Sequence, residues 1–134
     1  MMISTRGRYA MRVMVDLAEN RQRGYVPMKE IAERQEISLK YIEQIISVLS
    51  KNSLIEGVRG KGGGYRLSRP PAGYTAEEVL RLTEGDLAPV ACLQCGRKPC
   101  SREKVCRTKT LWKGLDAVIS QYLESVTLED LMEK

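Results

Sequence analysis

Four cysteines fall within fifteen residues, at Cys92, Cys95, Cys100 and Cys106, in a chain of 134 residues that has no histidine. The spacing is Cys92-x2-Cys95-x4-Cys100-x5-Cys106. Thiolates are soft ligands suited to iron–sulfur clusters, zinc or copper(I). A closed zinc site more typically joins two short-spaced cysteine pairs. Here only the first pair is short, and the spread of the second favours an object larger than a single ion. Arg97, Lys98, Arg102, Lys104, Arg107 and Lys109 surround the thiols. Cations lower thiol pKa and favour an anionic all-thiolate group, although the same charges could serve DNA or solubility. Without metal, such thiols would form a redox switch through reversible disulfides. Four unrelated cysteines would not be expected to share one loop and occur nowhere else.

A second constellation is made of polar residues. Ser38, Lys40, Tyr41, Glu43, Gln44 and Ser47 recur on one side of an amphipathic segment whose other side carries Leu39, Ile42, Ile46 and Leu49. A helix entering the major groove needs short polar side chains near its N-terminus and cations nearby. Gln44 suits bidentate contact with adenine, and Glu43 can accept from cytosine N4. A merely solvated face has the same pattern. The next segment tilts the balance: Arg59, Gly60 and Lys61 open a glycine-rich tip that Arg66 closes. Glycines let a backbone approach another surface, and arginine at such a tip can enter a narrow minor groove. Two nucleotide motifs fail on spacing. The dinucleotide fingerprint starting at Gly60 would need glycine where Tyr65 stands, and no Gly-Lys-Ser/Thr closes a phosphate loop.

These groups need elements to carry them. Tyr9, Val13, Met14, Leu17 and Ala18 define a first helix from Thr5 to about Asn20, with Arg12 and Asp16 one turn apart as a weak pair. A second helix begins near Pro27, with Met28, Ile31 and Ala32 inward. Ser38 caps a third, running to about Lys51. This is a helix-turn-helix. The runs at 54–59 and 65–67 read as a hairpin, with Gly57 as a candidate bulge. Thr75 with Glu78 opens a short helix, and Thr127 with Asp130 opens the last one, both as capping boxes. Between them lie the cysteine loop and a long helix. One apolar row of that helix is Leu111, Leu115, Val118 and Tyr122; an adjacent row is Trp112, Ile119, Leu123 and Val126.

The expected fold is mostly α with a small β-hairpin. Residues 1–84 form a winged helix-turn-helix DNA-binding head, and 85–106 a cysteine-containing sensor loop. A long helix spans 103–126, and 127–134 end in a short helix. The net charge of +5 favours an anionic partner. No apolar run is long enough to cross a bilayer, and Met1 to Arg12 lack the features of a signal peptide, so no membrane partner and a reducing cytoplasm are expected. No paired carboxylates, nucleophile–base pair or phosphate loop supports an enzyme. An electron carrier would use the cysteines without needing the head. A zinc-stabilised adaptor would keep them closed.

Gly7-Arg8-Tyr9-Ala10, Ile31-Ala32-Glu33-Arg34-Gln35 with Ile37-Ser38, Tyr41-Ile42-Glu43-Gln44 and above all Val58-Arg59-Gly60-Lys61-Gly62-Gly63-Gly64-Tyr65 closely resemble the Rrf-two family of bacterial winged-helix regulators, which includes the iron–sulfur regulators IscR, NsrR and RirA. Leu111-Trp112 and Val126-Thr127-Leu128 resemble that family's long helix and tail. The resemblance implies a homodimer held by the long helix on a pseudo-palindromic operator, with Glu43, Gln44 and Arg59 on double-stranded DNA. It implies a regulator, expected to repress, whose cysteine loop holds a 2Fe-2S or 4Fe-4S cluster, with zinc, no metal or a metabolic partner as the alternatives. Cys92, Cys100 and Cys106 fit the three-cysteine pattern of iron-sensing members. Cys95 is extra, and Lys109 stands where some members place a histidine, so Cys95 could supply the missing ligand of an all-cysteine site.

Overall fold

The computed structural model describes residues 2–94 and 96–133. Its helices are α1 (Thr5–Glu19), α2 (Met28–Gln35), α3 (Leu39–Lys51), α4 (Ala76–Glu84), α5 (Lys109–Ser125) and α6 (Leu128–Leu131). The strands β1 (Ile55–Val58) and β2 (Gly64–Leu67) pair antiparallel, with Ile55 opposite Leu67 and Val58 opposite Gly64. This is the expected mostly helical chain with one hairpin.

α1 is the central post. Ala10, Val13, Met14 and Leu17 are buried at its inward face, against Ile31 of α2, Ile42, Ile45 and Leu49 of α3, and Val79 of α4. Each valine, leucine, isoleucine or methionine among them contributes about 1.5–3 kcal/mol by leaving water. The buried stripe of α3 includes Ile45, while Leu39, expected inside, is 44% exposed. Leu39 is the first residue of α3, at the end of the helix rather than over the core. Asp16 is also buried, and it does not pair with Arg12. Arg34 Nη2 and Nε donate to its two carboxylate oxygens at 2.8 and 3.0 Å, and Gln35 Nε2 adds a third bond at 2.9 Å. Arg12 turns instead to Gln35 and lies over the Tyr9 ring. A fork-shaped guanidinium matches a carboxylate better than a one-turn neighbour can, so the tertiary pair replaces the local one.

The hairpin register is continuous, so Gly57 is not a bulge. It faces Tyr65, and a Cβ there would come within 2.6 Å of the ring. Val26 and Tyr65 exchange backbone bonds of 2.8 Å, which tie the wing to the segment before α2. Tyr74 is buried; its hydroxyl donates to Leu54 O at 2.5 Å and accepts from the Ser68 and Arg69 amides at 2.9 and 3.0 Å. One phenol thereby satisfies three backbone groups where the wing meets the head.

The C-terminal end returns to the head. Ala76 N donates to Val126 O and Leu128 N to Tyr74 O, and Leu128 is wholly buried. Thr127 and Asp130 form the full capping box. Thr75 caps α4 through Glu78 N, but the Glu78 carboxylate leaves to pair with Arg69 at 2.5 Å. α5 begins at Lys109, six residues after the expected start at 103. Residues 101–105 make isolated turns, with Glu103 N bonded to Cys100 O and Val105 N to Arg102 O, that do not propagate into a helix. α5 has no buried residue and touches α4 through the Arg81 and Ser120 side chains, bonded at 3.0 Å.

Candidate functional site

Two surfaces carry the residues singled out by their chemistry. The first is the outer face of α3. Ser38 is its N-cap, the hydroxyl accepting from Tyr41 N at 3.2 Å. That bond occupies Ser38 and fixes where the helix starts. Tyr41 is half-buried edge-on against Tyr9, with ring centroids 5.5 Å apart. Lys40, Glu43, Gln44 and Ser47 are exposed and line one open concavity of about 490 Å³. Arg6, from the first turn of α1, lines it too. The spacing of α3 gave no hint of Arg6, because it lies on a different helix; only the packing of α1 against α3 brings it there.

The wing tip lies between Val58 and Gly64. Gly60 and Gly62 have φ of 95° and 79°, a region open to glycine at little cost. The Gly63 amide closes the tip on Gly60 O at 3.0 Å. Arg59 and Lys61 are exposed and, among the described residues, have no carboxylate partner. Arg66 differs. It pairs with Glu56 across the hairpin at 2.7 Å and lies 4.4 Å over the Tyr25 ring. Arg66 therefore stiffens the base of the wing, while Arg59 and Lys61 remain available at its tip.

The second surface is the cysteine segment. Cys92, Cys100 and Cys106 all line a single cavity of about 180 Å³, together with Leu93, Arg97, Pro99, Glu103 and Lys109. Cys95 lies outside the described residues. Cys92 and Cys100 are exposed, and Cys106 is half-buried. The thiols border one space without closing on a point: among the described residues no three Cys, Asp or Glu side chains converge as an ion's ligand shell. The Thr108 hydroxyl lies 3.4 Å from Cys106 Sγ. Hydrogen bonds from the Thr108 side chain and backbone hold the Cys106 thiol below its ordinary range, with Arg102 helping from a distance. Lys109 pairs with Glu103 and holds that carboxyl below the usual range. Lys109 is thus engaged at the cavity wall, where its charged ammonium is no ligand. The donor set, three soft thiols on one cavity with one thiol biased toward thiolate, fits a thiophilic metal or cluster.

Residues 3–134 match the family model Rrf2, described as an iron-dependent transcriptional regulator. The chain belongs to the Rrf2 family. It is 39% identical over 133 residues to the transcriptional regulator IscR of Xenorhabdus nematophila, covering 99% of this chain and 80% of that one. The structure of CymR, the global cysteine regulator of B. subtilis, superimposes with a TM-score of 0.79 at 35% identity, covering 98% of this chain and 95% of the other. IscR of T. potens gives 0.77 at 35% identity, covering 98% and 85%. The family expected from the motifs is therefore the family found, and the winged-helix architecture is shared with these neighbours. This Rrf2 chain is a DNA-binding transcriptional regulator rather than an enzyme. Among the described residues no helix is long and apolar enough to cross a membrane.

Proposed function

We propose that this regulator binds a pseudo-palindromic operator as a homodimer, and that an iron–sulfur cluster or the thiol state of its cysteine loop sets its grip on DNA. One observation carries the reading: three thiols share a cavity in the segment joining a cation-tipped winged head to a helix with an uncovered apolar row. On that helix Leu111, Leu115, Val118 and Tyr122 are 59%, 42%, 61% and 66% exposed. They follow one face of α5, and burying such a row against a second copy removes apolar surface from water. Two copies related by two-fold symmetry suit half-sites about 34 Å apart.

Lys40, Glu43, Gln44 and Ser47 are the proposed contacts in the major groove, with Ser38 and Tyr41 shaping the start of the helix. Arg59, Gly60 and Lys61 are the proposed wing contacts. Cys92, Cys100 and Cys106 would hold the cluster, with Cys95 as a further thiol. Bound there, a cluster supplies an iron- and redox-dependent centre. The chain supplies the coupling: a change at the thiols alters how the cysteine segment leaves α4 and enters α5, and with it the spacing of the two heads. That is an equilibrium between two dimer arrangements that bind DNA with different affinity. The Cys106–Thr108 contact also favours a second reading, a metal-free thiol switch, because thiolate character promotes disulfide exchange.

Selection from a random duplex library identifies the operator. Arg59→Ala should then weaken binding by about 1–3 kcal/mol, and Glu43→Ala should relax base preference more than it lowers affinity. Wild-type affinity and discrimination in both variants would overturn the groove assignment. Visible absorption and metal analysis after anaerobic purification separate cluster, zinc and bare thiols.

A further inference from the structure

The first turn of α1 is clamped from an unexpected direction. Ser4 is its N-cap, accepting from Gly7 N at 3.2 Å. The Ser4 amide and hydroxyl both donate to Glu84 Oε1, at 2.9 and 2.6 Å. Glu84 is the last residue of α4, eighty positions away. Gly7 makes the contact possible, because a Cβ there would collide with the Glu84 carboxylate. Two residues beyond Ser4, Arg6 is exposed, lines the α3 concavity, and has no ion pair among the described residues. Its neighbour Arg8 is directed instead to Thr5 Oγ1 at 3.2 Å.

We propose that Arg6 contacts a DNA backbone phosphate beside the reading helix, and that Glu84 is a positioning residue that holds it there. The proposal rests on the reading of α3 as the DNA-facing helix. The concavity holds two cations, Arg6 and Lys40, and one carboxylate, Glu43. Glu43 repels phosphate and needs a donor such as cytosine N4, so the phosphate falls to the cations. A guanidinium matches phosphate geometry with two parallel bonds, where an ammonium acts as a point charge. Phosphate contacts set register and orientation while base contacts set sequence. An arginine on α1, in the turn that Glu84 of α4 anchors through Ser4, gives α3 a reference point that α3 cannot supply for itself.

The test is the salt dependence of duplex binding by the full chain. A fluorescein-labelled duplex of mixed sequence, about 30 base pairs long, is titrated by anisotropy from about 50 to 200 mM NaCl. Each phosphate contact adds about 0.9 to the slope of log affinity against log salt. Arg6→Ala should therefore lower the slope by about 0.9 per bound protomer, so that each protomer loses about threefold less affinity over that range. Arg6→Lys should retain the slope. Glu84→Ala should lower it part of the way while helix content by circular dichroism stays intact. An unchanged slope in Arg6→Ala would overturn the phosphate contact, and an unchanged slope in Glu84→Ala its positioning role. If the unsubstituted chain shows no salt-dependent duplex binding, the DNA-facing reading of α3 fails first.

Discussion

The head and the cysteine segment of this chain are stabilised in different ways. In the head and the tail docked on it, Val13, Met14, Ile31, Ile42, Leu49, Tyr74 and Leu128 are wholly buried, and the buried carboxylate of Asp16 is met by three donors. From Ala91 to α5 no described residue is buried, and the backbone bonds span only a few positions. The head, closed by the C-terminal tail that packs Leu128 into its core, is satisfied from within the chain. The cysteine segment and α5 present thiols and apolar side chains that the described residues leave uncovered; their proposed complements are a soft metal centre and a second apolar face. Segments with few buried contacts are those whose arrangement a bound group can change at low cost.

Substitutions should separate the two regions sharply. The largest effect is expected for Leu128→Ala, which opens a cavity where the tail enters the head. Stability should fall by about 2–5 kcal/mol in chemical denaturation. Arg34→Ala comes next, at about 3 kcal/mol, because it leaves the Asp16 carboxylate buried with only Gln35 as a side-chain donor. Tyr74→Phe removes one hydroxyl from three backbone groups and should cost about 1–3 kcal/mol. In the other region Cys100→Ser should change the stability of the metal-free chain by less than about 0.5 kcal/mol. A loss as large as that of Leu128→Ala would erase the contrast. Val118→Asp should leave the head folded by circular dichroism and shift the mass in sedimentation from dimer to monomer; an unchanged mass would remove α5 from the proposed interface. The smallest effect is chemical. Hydrogen bonds from Thr108 lower the Cys106 thiol pKa, so Thr108→Val should raise it and slow alkylation by iodoacetamide near pH 7. Equal rates in the two proteins would show that the Thr108 contact has no influence on the thiol.

The same contrast explains what was legible in the sequence. Elements whose signals are local came through. Apolar periodicity and the Ser38 cap place α1, α2 and α3 within a residue or so of the observed ends, because helix faces and caps are written in neighbours. Pairings between distant residues did not. Asp16 found Arg34 rather than Arg12, Glu78 found Arg69 rather than completing its box, and Gly57 is a seat for the Tyr65 ring rather than a bulge. The cysteine cluster was plain from spacing, and three of its members line one cavity. The start of α5 was misplaced because polar residues 101–105 are compatible with a helix and make separate turns instead. The place of Arg6 beside the α3 face was not legible, because it depends on α1 packing against α3.

The central claim is that the cysteine segment governs the grip of the winged head on DNA. The most direct measurement is an anisotropy titration of the selected operator with cluster-reconstituted protein, metal-free protein, and Cys100→Ser carried through the same reconstitution. The account predicts different affinities for the first two, with Cys100→Ser matching the metal-free protein. Identical affinity in all three would contradict it.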